Sequence, residues 1–85
     1  MSTLPAHIHA ARQLVAGALS VPLGRIGPET KMYDLPVWDS LGQLSVVLAI
    51  EEELHLQIAD ASVFNSLTSV AGIAAYLAGV ATDER

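Results

Sequence analysis

Cysteine is missing from all 85 residues of the chain. Disulfides and thiolate metal sites are therefore excluded, and any sulfur nucleophile has to be imported on a prosthetic group. Basic residues are scarce: four Lys and Arg stand against nine Asp and Glu, giving a formal charge of −5 and a pI near 4.8. That balance disfavours nucleic acid as a partner, because neutralising phosphates takes clustered cations. It disfavours an anionic membrane for the same reason, and a basic protein surface is the better electrostatic match. The aromatics are Tyr33, Trp38, Phe64 and Tyr76.

Several functional patterns are also lacking. The start MSTLPAHIHA has neither a basic n-region nor an apolar core, so no secretory signal is read and a cytoplasmic location is expected. No glycine-rich phosphate loop, metal cluster or acid/base pair occurs at a known spacing. His7 and His9 are two residues apart, so on a helix they point about 200° away from each other and cannot share a metal. They read as exposed histidines, and His55 stands alone near a helix end. With no positioned acid, base or nucleophile set, the chain is not expected to be an enzyme, and no metal ligand or catalytic residue is assigned. Charge is absent from Ala61 to Thr82, yet Ser62, Asn65, Ser66, Thr68, Ser69 and Gly72 interrupt this run. It reads as buried soluble helix and not as a membrane span.

What the chain has is aliphatic bulk. Hydrophobic residues make up 52% of it, mostly Ala, Leu, Val and Ile, which suits close helix packing around a small core. The length allows one domain, residues 1–85. The first helix is placed from Pro5 to about Leu19, preceded by Thr3 or Leu4, with an apolar face of Ile8, Ala11, Val15, Ala18 and Leu19. From Ser20 to Trp38, Pro22, Gly24, Gly27, Pro28 and Pro36 break any regular pattern. This is a long loop, anchored by Leu23, Ile26, Met32 and Leu35.

The strongest helix is placed from Ser40 to about Leu56, with Asp39 as N-cap. Its expected core arc is Leu41, Leu44, Val47, Leu48, Ile50 and Leu54, opposite Gly42, Ser45, Ala49, Glu52 and Glu53. Gln43 and Glu51 project into the arc. The three glutamates lie late in the helix, against the dipole preference, which leaves partner recognition as a candidate reason for them. A short helix follows from Asp60 to Phe64, with Asp60 as its cap. The last helix is placed from Val70 to Ala78, capped by Ser69 and stopped by Gly79.

One segment stands out, Asp34-Leu35-Pro36-Val37-Trp38-Asp39-Ser40-Leu41-Gly42. It sets a hydroxyl at the first turn of the most amphipathic helix, where free amides and the dipole stabilise a phosphodiester and a modifying enzyme can reach. Asp-Ser before an apolar run is also what an ordinary capped helix start looks like, so spacing alone leaves both possibilities open.

Asp39-Ser40-Leu41, followed by Val46-Val47-Leu48-Ala49-Ile50-Glu51-Glu52-Glu53-Leu54, closely resembles the signature of the acyl carrier protein family. The likeness continues through Ile58 and Asp60, then Leu67-Thr68-Ser69-Val70, Ile73 and Tyr76-Leu77. The resemblance implies an all-α four-helix bundle, three main helices plus a short third, with a long loop between helices 1 and 2. It implies that a phosphopantetheinyl transferase moves 4′-phosphopantetheine from coenzyme A to Ser40, whose arm then holds an acyl or aminoacyl group as a thioester. By position, Asp39 assists that modification and Val47, Ile50, Leu54, Phe64 and Ile73 line the interior. Leu41 and Leu48 are then apolar docking contacts, while Glu51 and Glu52 meet Lys or Arg on partner enzymes.

The chain departs from fatty-acid-synthesis carriers in having Gly42 and Ser45 where acids usually stand, and Trp38 in place of a Gly-rich turn. It also lacks the paired glycines that precede the serine in peptidyl carriers. The expected function is thus a discrete, monomeric carrier in polyketide or related secondary metabolism, served by ketosynthase, acyltransferase or ligase partners. An aminoacyl or peptidyl carrier and an unmodified acidic helical adaptor are the alternatives.

Overall fold

The computed structural model describes residues 4–83, with side chains from 6 to 80. Among them are four α-helices: α1 (Leu4–Leu19), α2 (Ser40–Leu54), α3 (Ala61–Ser66) and α4 (Val70–Asp83). A 3-10 turn at Leu23–Arg25 sits in the long connection, and the described residues contain no strand beyond one isolated bridge, Lys31 to Ser69. The all-α bundle with a short third helix is borne out. Thr3, expected just ahead of α1, lies outside the described residues.

α1 packs against both α4 and α2, and α3 packs against α4. The shared core holds Ala11, Val15, Ile26, Trp38, Val46, Val47, Ile50, Leu67, Val70, Ile73, Ala74 and Leu77. Its aliphatic side chains let helices approach closely and fill space without buried polar atoms to satisfy. Ile8, Ala18 and Leu19 of the expected α1 face pack at its edge, as do Leu54 and Phe64.

The long loop is irregular but fastened at several points. Ile26 is fully buried, and Leu23, Met32 and Leu35 pack against the core. Arg12 reaches from α1, its guanidinium donating to the carbonyls of Ile26 and Leu23. Farther along, Met32 N–H donates to the Thr68 carbonyl at 2.8 Å and Val70 N–H to the Thr30 carbonyl at 3.0 Å. The loop is thereby stitched to the α3–α4 junction, so the residues leading into α2 have a fixed approach.

Three expectations need correction. α2 ends at Leu54, because His55 turns left-handed (φ 55°) and its N–H closes onto the Glu51 carbonyl. α4 runs through Gly79 to Asp83; Gly79 has no positive φ, and a lone glycine weakens a helix by about 1 kcal/mol without ending it. The uncharged run from Ala61 to Thr82 is divided between α3 and α4, as its two expected helices require, and no described helix is long and apolar enough to cross a membrane. His9 is exposed, but His7 is half-buried: it lines a cleft with Leu14, Leu54 and Leu77, and its Nδ1 is shut off from solvent.

The core face of α2 also differs from the expected arc. Leu41, Leu44 and Leu48 are 74%, 50% and 60% exposed, whereas Gly42, Gln43, Val46, Val47 and Ile50 are buried. At 100° per residue, Leu41, Leu44 and Leu48 form a stripe roughly 150° from the centre of the buried one. The helix is apolar on two sides, so periodicity could not say which side the rest of the chain would cover.

Candidate functional site

The helix start is built by Asp39. Its backbone is extended, its Oδ1 accepts from Gly42 N–H at 2.9 Å, and its carbonyl accepts from Gln43 N–H at 2.8 Å. A carboxylate in this position satisfies first-turn amides and faces the positive end of the helix dipole. Ser40, the first helical residue, is therefore released from capping. It is exposed, and its Oγ lies 3.2 Å from the Tyr33 hydroxyl.

Buried residues hold this start in place. Trp38 is fully buried, its Nε1–H donating to Gln43 Oε1 at 2.7 Å. Gln43 in turn donates from Nε2 to the Leu67 carbonyl at 2.9 Å. This buried polar chain ties the end of the long loop to the α3–α4 junction with every partner satisfied. Gly42 is required by closeness: a Cβ there would run into the Val37 carbonyl and crowd Leu19. The loop residue beside the serine and the first turn of α2 are thus locked together.

Around Ser40 lies an apolar surface. Leu41 adjoins it, Leu44 and Leu48 follow one and two turns along, and Val37 is exposed on the loop side. Glu52 is exposed at the far end of this stripe. Glu51 is half-buried, and its Oε2 accepts from Ile58 N–H at 2.7 Å, holding the segment after α2. One of the late glutamates therefore has a local structural job that the sequence reading did not give it.

Of the residues singled out in the sequence, Asp39, Ser40 and Leu41 come together at the mouth of α2. Leu48 sits about 10 Å along the same side, with Glu51 and Glu52 one turn beyond. Sequence reading missed Tyr33, Val37 and Leu44. Leu44 had a signal, its i+3 spacing between Leu41 and Leu48; an exposed apolar loop residue such as Val37 has none. Asp34 nearby is held below its ordinary carboxylate value, chiefly by the side-chain hydrogen bond from Lys31, whose Nζ is 3.0 Å from Asp34 Oδ1. Among the described residues no group of His, Asp and Glu could hold a metal ion.

A family model described as a phosphopantetheine attachment site matches residues 9–77, from within α1 to within α4. No curated protein matches the chain.

Proposed function

Because the chain belongs to the phosphopantetheine attachment site family, we propose that Ser40 takes the prosthetic arm and that the chain carries acyl intermediates in polyketide or related secondary-metabolite biosynthesis. Domains of this family are non-catalytic carriers that hold 4′-phosphopantetheine covalently and meet a phosphopantetheinyl transferase and biosynthetic enzymes. When bound, the group supplies the thiol that the sequence lacks, on which acyl groups ride as thioesters.

The residues at the mouth of α2 fit this group. The observation that carries the reading is that Ser40 has an exposed hydroxyl unused by the helix, since Asp39 does the capping. Ser66 and Ser69, by contrast, spend their hydroxyls on the backbone, Ser66 on the Val63 carbonyl and Ser69 on Gly72 N–H. A reacting serine at an ordered helix start is presented at one fixed place, which favours docking of a modifying enzyme.

Asp39 is assigned the assisting role in modification, next to the hydroxyl. Leu41 and Leu48 are assigned to apolar docking, with Glu51 and Glu52 meeting basic residues of ketosynthase-, acyltransferase- or ligase-type partners. The specialised pathway is supported by Trp38-Asp39-Ser40-Leu41-Gly42 with Ser45, in place of a glycine-rich turn and early acids.

Coexpression with a broad-specificity transferase, read by intact mass, tests the assignment. Wild type is expected to gain one phosphopantetheinyl group and Ser40→Ala none; a bare wild type under active transferase sinks the reading. The mass of the group riding on protein from its own cells then separates an acyl cargo from an aminoacyl one.

A further inference from the structure

Tyr33 is a bulky residue in a conformation that suits glycine. The segment Lys31 to Asp34 is a four-residue turn closed by Asp34 N–H donating to the Lys31 carbonyl at 2.9 Å. Tyr33 occupies its third position with φ 74°, where Gly or Asn is the ordinary occupant. Burial does not compensate for this, since Tyr33 is 68% exposed. The side chain's described hydrogen bond is to Ser40 Oγ, at 3.2 Å.

The surroundings hold Tyr33 there from several directions. Its N–H donates to the Trp38 carbonyl at 2.7 Å. Trp38 is anchored through Gln43 to Leu67. Asp34 closes the turn's other side, accepting from Lys31 N–H and Nζ. Backbone strain persists only where the structure over-determines it, and an observed outlier of this kind points toward a task.

We infer that Tyr33 is a positioning residue for the modification of Ser40, its phenol fixing the rotamer of the hydroxyl that attacks. This rests on the reading of Ser40 as the attachment point. In that step Ser40 Oγ forms the new bond to the pantetheine-side phosphorus of coenzyme A and gives up its proton to a base of the transferase. The pyrophosphate P–O bond breaks, and 3′,5′-ADP leaves with the electron pair. A free serine side chain samples three staggered χ1 wells, and a hydrogen bond to the phenol of Tyr33, whose backbone the turn holds in place, reduces them toward one before the transferase arrives.

Tyr33→Phe keeps the ring and removes the hydroxyl. With purified wild-type and Tyr33→Phe chains, coenzyme A and a broad-specificity transferase, kcat for loading is expected to fall about three- to tenfold, the effect of one lost hydrogen bond. KM is expected to stay unchanged, because the surface met by the transferase keeps its shape. NMR couplings should show one dominant Ser40 χ1 rotamer in the wild type and averaging in Tyr33→Phe. An unchanged kcat, a loss confined to KM, or averaged couplings in both proteins overturns the inference while leaving Ser40 as the attachment point. A wild type that stays bare removes both.

Discussion

Gln43 occupies a position where a helical pattern calls for an aliphatic side chain, and its amide joins Trp38 Nε1 to the Leu67 carbonyl inside the core. Both of its partners are buried. Gln43→Ala therefore leaves a donor and an acceptor without water or protein to meet them, and also opens a void. The expected cost is about 2–4 kcal/mol in urea unfolding. A loss below about 0.5 kcal/mol, the usual range for surface substitutions, would contradict the buried network. The sequence shows that a glutamine interrupts the apolar arc. It does not show the partners, which are 5 and 24 residues away along the chain.

At the scale of the element, α2 carries two apolar stripes on nearly opposite sides. The inner stripe meets α1 and the loop, while Leu41, Leu44 and Leu48 remain outside. Leu44 was expected in the core, where an arginine would be ruinous. On the observed surface, Leu44→Arg puts its charge in water, and the melting temperature should shift by no more than the equivalent of about 0.5 kcal/mol. Thermal unfolding followed by helical circular dichroism checks this, and a collapse of the transition would restore the original face assignment. The N-caps were more legible: Asp39 and Asp60 each accept amide hydrogens as their identity and place predict. The C-terminal ends were not, because His55 takes the left-handed turn usually left to glycine and Gly79 declines it.

Across the whole molecule, nine acids and four bases set how the fold responds to acid. Asp34 and Asp60 are both held below the ordinary value near 3.8, Asp34 chiefly by the Lys31 side chain and Asp60 chiefly by Ser62 N–H. A carboxylate with a lower value in the folded than in the unfolded chain contributes its full stability above the ordinary value. It loses that stability as pH falls through the lowered one. Both groups are exposed, so their contribution is modest. Between neutrality and the pI near 4.8, shrinking negative charge relieves self-repulsion and works the other way. Urea midpoints are expected to hold from neutral pH down to about 4 and fall below it. The fall should be shallower in the Asp34→Ala, Asp60→Ala double variant. A decline that begins well above pH 4 would contradict this account.

The sequence by itself determined the helices, the caps at Asp39 and Asp60, and the placing of Ser40 at the head of α2. These depend on local hydrogen bonding and on spacing along one stretch of chain, which neighbouring residues encode. The choice of which stripe of α2 faces inward, the burial of Trp38, the work given to Gln43 and Glu51, and the meeting of Tyr33 with Ser40 were decided by tertiary structure. Each requires segments distant in sequence to arrive at one place, and apolar periodicity is the same whether a stripe ends against α1 or against solvent.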